Sequence, residues 1–448
     1  MRDDGGVVDV VVLGAGAAGL AAAAVLAGAG LEVAVLEARD RTGGRVHTLR
    51  DPMAPVPIEL GAEFIHGRPK ELWSLVRSAR LPACDAAVGQ WLARDGELRP
   101  LQGFWDRMDE LFRRIDVEAG EDESFAAFLE TRYAGDEWRE LRELATSFVE
   151  GYYAARADRV SARFLIEGED DTAEQVERSF HILCGYDRVL EALAAGLPPG
   201  SVRLGTVVSE VRWTNGRVEV QAHSRLGHPL PPVRARRAVI TLPLGVLQAP
   251  ADQPGGVRFE PDPPAVREAI GRLAMGQVVK LVLRFRDPVW ETVFETVRYE
   301  PGPPVPVKFI RTPGRPGTWW TPLPIRAPLL VGWVGGSAAE AMVGLAAPEI
   351  VAGALDTLAP ALGIGRATLE SALEAWYFHD WQADPFARGA YSYLPVGGER
   401  ARELLGTPVE DTFFFAGEAL AGGDATGTVH GAIRSGRRAA EAVVRSLG

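Results

Sequence analysis

The feature that most constrains this chain lies near its start. Val10-Val11-Val12-Leu13 runs into Gly14-Ala15-Gly16-Ala17-Ala18-Gly19, then an alanine-rich stretch from Leu20 to Ala27, then Val33-Ala34-Val35-Leu36 and Glu37. The pattern predicts strand, GxGxxG turn, helix, strand. A short β-branched run suits a buried parallel strand, and alanine is the strongest helix former. The first glycine permits a tight turn, the second lets a pyrophosphate approach the backbone, and the third lets helix and strand pack closely. The helix N-terminus then faces the phosphates. Glu37 falls eighteen residues past Gly19, near the spacing expected of a carboxylate that binds ribose hydroxyls. Together these features predict a dinucleotide-binding α/β unit.

The same stretch carries no charge from Val10 to Leu31, long enough to suggest a membrane span or a signal peptide. Asp3, Asp4 and Asp9 precede it in place of a positive n-region, and Gly14, Gly16, Gly19, Gly28 and Gly30 interrupt it. No membrane partner is expected, and the location expected is cytoplasmic. A net charge of −12 with no long basic run argues against a nucleic-acid partner held through phosphates. Two cysteines, Cys84 and Cys184, rule out a disulfide scaffold. The seven histidines form no HExxH pair, and His223 and His228 lie in a polar, proline-flanked stretch that reads as a loop. No metal site is expected.

Further along, Phe104, Trp105, Met108, Leu111, Phe112 and Ile115 recur at helical spacing, and the chain stays helix-rich to about Val149. Strand patterns resume at Val202, Val207-Val208, Val218-Glu219-Val220 and Ala238 to Leu242. Proline-rich loops are expected at Pro261 to Pro264 and Pro301 to Pro328. The end repeats the opening logic: strand Thr412 to Ala416, a small-residue loop from Gly417-Glu418 through Thr428, and a helix from about Val429. Two glycine-rich strand-to-helix joints at opposite ends suggest an α/β fold. Its Rossmann-like dinucleotide domain is assembled from discontinuous segments 1–70, 200–255 and 405–448. Segments 71–199 and 256–404 form an α+β substrate-binding domain with a mixed sheet and flanking helices. Seven aromatics crowd into Trp376 to Tyr393, as expected of a pocket wall or of plain core packing.

Glu37-Ala38-Arg39-Asp40-Arg41-Thr42-Gly43-Gly44-Arg45 resembles the extended fingerprint of the FAD-dependent amine oxidase superfamily. Gly61-Ala62-Glu63-Phe64-Ile65-His66-Gly67 resembles the polyamine oxidase motif that places a histidine at the mouth of the catalytic tunnel. Val207-Val208, Ala238 to Leu247, Trp381 to Tyr393, Phe415 to Glu418 and Thr428 to Gly431 are also similar to segments of that family, so the likeness covers nearly the whole chain. It implies FAD held by Gly14, Gly16, Ala18, Gly19, Glu37, Ala38, Arg39, Gly43, Gly44 and Arg45. Gly61, Ala62, Glu63, Phe64, Val208, Trp381, Gly417, Glu418, Thr428 and Val429 complete that set. It implies catalytic roles for Lys280, Tyr391, His66 and Thr428, and substrate contacts from Glu63, His66, Phe386 and Tyr391.

Lys280 lies in Val278 to Phe285, where strand alternation puts it on the same face as Arg284. By pattern alone it reads as a solvated lysine; the resemblance instead implies a lysine that holds a water beside flavin N5. Ala390 stands where monoamine oxidases carry the cysteine that binds flavin covalently, so noncovalent FAD is implied. Thr428 replaces their second pocket tyrosine, as in polyamine oxidases and histone demethylases. The chain has no room for the demethylases' coiled-coil insertion or extra domain, so no chromatin role is expected. The acidic run Glu167, Glu169, Asp170, Asp171 and Glu174 reads as a solvated helix start, and Glu63 is the better candidate for a distal ammonium. The implied activity is oxidation of a (poly)amine next to nitrogen, with O2 reduced to H2O2. An L-amino-acid oxidase, a FAD desaturase and a noncatalytic flavin protein stay open as alternatives.

Overall fold

The structure, a computed structural model, describes residues 6–86, 89–101, 103–115, 121–167, 178–291 and 307–448. Val7–Leu13 forms a strand whose β-branched part, from Val10 on, is buried, and the second strand spans Val33–Leu36. The helix between them spans Ala17–Gly28. The uncharged stretch is therefore folded inside the molecule, and among the described residues no helix is long and apolar enough to cross a membrane.

Val7–Leu13 lies inside an eight-stranded sheet, parallel to Val33–Leu36 on one side and to Val233–Ile240 on the other. Val202–Arg203 extends the parallel part at one edge, and Phe413–Phe415 pairs parallel with the far end of Val233–Ile240. Its other end turns antiparallel to Arg217–Ser224, which pairs with Thr206–Thr214. His223 belongs to the strand Arg217–Ser224, not to a loop, because its backbone is drawn into this ladder.

A second sheet of seven strands is mixed. Its order runs Leu373–Phe378, Val278–Phe285, Leu329–Gly335, Thr318–Trp320, Phe309–Arg311, Gln90–Arg94, Glu97–Pro100. All neighbours are antiparallel except Phe309–Arg311 with Gln90–Arg94. The Pro301 to Pro328 stretch is thus not all loop: it contributes two three-residue strands, while 301–306 lie outside the described residues. The fold is α/β with a Rossmann-type parallel core and a mixed second sheet flanked by helices Phe104–Phe112, Arg139–Tyr153 and Ala347–Leu362.

The last helix, Val429–Leu447, packs along Ala17–Gly28. The contact is close enough that a Cβ on Gly436 would lie 2.1 Å from the Ala18 carbonyl oxygen. The first residues of both helices, Ala17 and Val429, line one cavity.

Candidate active site

One cavity of about 480 Å³ runs from the GxGxxG turn to the second sheet, within the range usual for ligand chambers. Every residue expected at the site lines it except Gly19. A Cβ on Gly19 would sit 1.9 Å from the Gly14 carbonyl oxygen, so this glycine permits helix and strand to meet and faces no ligand. Gly14 takes φ +102°, and around Gly16 the nearest atom to an added Cβ is 4.0 Å away. Gly16 caps its helix without a side-chain acceptor, leaving first-turn amides directed at the cavity. Glu37 is buried and accepts hydrogen bonds from the Ala15 amide at 2.8 Å and the Arg39 amide at 2.9 Å. Its remaining lone pairs suit hydroxyl donors. Val208, Ala18, Ala38, Ala62 and Val429 supply apolar wall.

The Gly43-Gly44-Arg45 segment is pinned to the turn by the Gly43 amide donating to Ala15 O at 2.9 Å. Arg41 donates to the carbonyls of Thr42, Gly44 and Val46 and so shapes this loop. Arg45 donates at 2.8 Å to both the Ala390 carbonyl and Glu418, whose other oxygen accepts from Ser392 Oγ at 2.7 Å. Gly61 must lack a side chain, since a Cβ there would be 1.9 Å from Arg45 O and 3.2 Å from the Trp381 ring. Trp381 is fixed by its indole N–H to Leu60 O at 2.9 Å.

Lys280 is 3% exposed, on a strand buried along its whole length. Its ammonium donates to Gly61 O at 3.0 Å and to Glu63 at 2.8 Å. The second Glu63 oxygen accepts from Trp320 Nε1 at 3.0 Å, and His181 stands 3.7 Å away. Burial alone would raise the Glu63 carboxyl, but Lys280, His181 and Lys308 outweigh it and hold it at about 2. Behind His181 lies Lys308, fully buried, 3.0 Å from His181 Nε2 and donating to the carbonyls of Thr321 and Leu323. Burial brings Lys308 down to about 8, opposed by Glu63 and Cys84. Two lysines, a carboxylate and a histidine thus form one buried chain ending at the cavity wall.

Tyr391 donates its hydroxyl to the Tyr152 carbonyl at 2.7 Å, and its ring packs on Gly427, where a Cβ would come within 2.9 Å. His66 contacts Ser179 Oγ at 3.2 Å; burial and then His430 lower it to about 4, so it is neutral at pH 7. Thr428 caps the last helix, accepting from the Gly431 amide at 3.0 Å and donating to Ala425 O at 2.7 Å. Phe386 lies under the Arg39 guanidinium, 5.5 Å from ring centre, among the fingerprint residues. Of the seven clustered aromatics, only Trp381, Phe386 and Tyr391 line the cavity. Tyr393 is core, and Trp376 to Phe378 belong to the edge strand of the second sheet. Of the acidic run, Glu167 pairs with Arg402 at 2.8 Å, and the rest lies outside the described residues. Among those residues no group of three or more His, Cys, Asp or Glu side chains could hold a metal.

Sequence reasoning missed Trp320, Trp333, Tyr152, His181, Lys308 and Arg311. For Arg311 and Trp320 the signal was period-2 alternation in three-residue strands, which proline-rich flanks concealed. Tyr152 lies on a helix and Trp333 on a longer strand, where nothing local marks a cavity face.

A parallel sheet with a glycine-rich turn opens on a chamber walled by a second sheet with a buried lysine, an architecture suited to holding a cofactor against a small ligand. The family follows from sequence. A family model described as flavin containing amine oxidoreductase matches residues 17–444. The chain belongs to this family, and is a flavin-containing amine oxidase. Polyamine oxidase 1 of Oryza sativa subsp. japonica is 30% identical over 521 residues, covering 97% of each chain. Among solved structures, cyclohexylamine oxidase from Brevibacterium oxydans IH-35A has the same fold, with a TM-score of 0.79 at 22% identity over 99% of this chain and 100% of that one. A putrescine oxidase bound to putrescine matches with a TM-score of 0.75 at 23% identity, covering 98% and 99%.

Proposed function

We propose that the chain oxidises an amine at the carbon next to nitrogen, with noncovalent FAD as cofactor and O2 as electron acceptor. Bound FAD supplies the acceptor for the hydride equivalent, after which the imine hydrolyses to a carbonyl compound and an amine and O2 yields H2O2. The observation that carries this is the single cavity shared by the dinucleotide turn and by Lys280, Tyr391 and Trp381. The proposed division of the chain follows 1–70, 200–255 and 405–448 for FAD and the remainder for substrate. The strand Arg258–Glu260 pairs with Thr206–Thr214 and extends the FAD part slightly beyond 255.

The cradle fits the cofactor chemically. Uncapped amides at Gly16 suit a pyrophosphate and Glu37 suits a ribose. The N-terminus of Val429–Leu447, which lines the cavity, would offer a positive dipole end to a flavin held there. Noncovalent binding agrees with Ala390 and with both cysteines lying off the cavity wall. In this reading Tyr391 and Trp381 exclude water and favour the amine through their ring faces. His66, neutral, accepts or donates a hydrogen bond at the same wall without carrying charge. Lys280 keeps one ammonium proton beyond its two bonds, and that proton orients a water at the reacting end. The likeness to polyamine oxidases puts polyamines among the amines to be tried. Glu63 already pairs with Lys280 and accepts from Trp320, so much of its charge is spent before a distal ammonium could reach its remaining lone pairs.

The test is Lys280→Met in stopped flow. Flavin should remain bound while at least one half-reaction, reduction by amine or reoxidation by O2, slows by roughly 100-fold or more, the scale of a single positioned proton donor. Unchanged rates of both would remove Lys280 from the mechanism.

A further inference from the structure

Four basic side chains line the cavity with the ring residues: Arg39, Arg45, Lys280 and Arg311. The first three each face a carboxylate, Asp384, Glu418 and Glu63 in turn, at 2.7 to 2.8 Å. The Arg311 guanidinium faces none among the described residues. It makes no hydrogen bond there, its Nε is buried without a partner among those residues, and it lies over the Phe104 ring, 4.8 Å from the ring centre. Stacking on Phe104 holds the planar group in place and leaves its N–H edge free. Gln90, one strand over, also lines the cavity, and its Oε1 is buried without a partner. Charged groups with buried donors are almost always paired, so this end of the cavity suits a partner that none of the described residues supplies.

Register shows where that end lies. Lys280 pairs with Trp333, Trp333 with Thr318, and Thr318 with Arg311, four consecutive positions across the second sheet. All four line the cavity, so they share a face. Three interstrand steps put Arg311 about 14 Å from Lys280 along the sheet. An anion held by Arg311 is therefore remote from the reacting carbon, unlike the carboxylate of an α-amino acid, which is one bond from it. A single guanidinium flanked by neutral Gln90 and Thr318 matches one negative charge and the planar fork of a carboxylate. It also opposes a distal ammonium.

We propose that Arg311 is a substrate-specificity residue, and that the preferred substrate is an ω-amino carboxylate: an amine at the flavin end, a carboxylate at the far end. The proposal rests on the amine-oxidation reading above. Asp109 and Glu167 also line the cavity, but neither lies within ion-pair distance of Arg311, and Glu167 is held by Arg402. Burial lowers the Arg311 guanidinium to about 10, with no carboxylate among the described residues opposing it.

The test uses the purified holoenzyme and three amines of one length, 6-aminohexanoate, hexylamine and 1,6-diaminohexane, read as half-saturation of anaerobic flavin reduction. Hexanoate, which has no amine to oxidise, is titrated separately by perturbation of the flavin absorbance. Half-saturation by 6-aminohexanoate should lie at least ~10-fold below that by hexylamine, the scale of hydrogen bonds to a charged group, and 1,6-diaminohexane should be weakest. Arg311→Gln should erase that preference and the binding of hexanoate while leaving hexylamine within about 2-fold. Arg311→Lys, which keeps the charge without the fork, should fall between. Equal half-saturation by the three amines in the parent enzyme would overturn the proposal. So would an Arg311→Gln variant that weakens all three alike or unfolds at a lower temperature, as loss of a hidden Asp109 partner would cause. If no amine reduces the flavin, the amine-oxidation reading fails; hexanoate binding lost in Arg311→Gln would still support the carboxylate site, and no hexanoate binding to the parent enzyme would overturn it.

Discussion

At the scale of single residues, burial decides which side chains carry charge. His47, His66, His181 and His430 are each lowered to about 4, chiefly by burial, and Glu59 is raised to about 7 by burial. Between pH 6.5 and 4.5 the unfolded chain binds a proton at each of these histidines and the folded chain does not. Glu59 works the other way, holding a proton in the folded state that the unfolded state has released. The unfolded state therefore binds about three more protons across that window, and stability falls as pH is lowered through it. Each net proton contributes at most ~1.4 kcal/mol per pH unit. Urea midpoints taken at pH 7 and at pH 5 check this, and an equal or higher midpoint at pH 5 would contradict it. Glu63, held at about 2, adds stability above pH 4.5 that is lost only in stronger acid.

At the scale of elements, the legible parts were those whose signal is local and long. Val33–Leu36 and the start of the last helix at Val429 stand where pattern and small-residue loop put them. Phe309–Arg311 and Thr318–Trp320 did not declare themselves, because three residues carry too little alternation to outweigh neighbouring prolines. They hold Arg311 and Trp320. The aromatic density of Trp376 to Tyr393 was visible, but burial splits it between cavity, core and sheet edge. The crossing of the first and last helices was not visible either, since nothing in sequence ties Gly436 to Ala18. Gly436→Ala should force the helices apart and lower stability by about 1–3 kcal/mol, the scale of core overpacking, with flavin released earlier on heating. Gly353→Ala, in a helix with nothing within 4 Å of the new methyl, should instead stabilise by roughly 1 kcal/mol. Thermal unfolding followed with flavin fluorescence separates the two. A Gly436→Ala protein as stable as its parent would contradict the packing account.

At the scale of the whole molecule, two sheets meet over one chamber. The fingerprint of the first sheet is contiguous in sequence and was readable; the chemistry of the second is assembled over long separations. Lys280 and Glu63 are 217 residues apart, and Arg39 and Asp384 are 345 apart. Such pairs have no periodicity to betray them, so Lys280 by pattern alone read as a solvated residue. The amine oxidase family membership gives the chemistry and the cavity gives the place. The most direct test of the account is anaerobic mixing of the purified flavoprotein with amines, ω-amino carboxylates and α-amino acids while the flavin absorbance is followed. The account predicts bleaching by amines, followed by recovery and stoichiometric H2O2 when air is admitted. A flavin that no amine bleaches, or that only α-amino acids bleach, would contradict it.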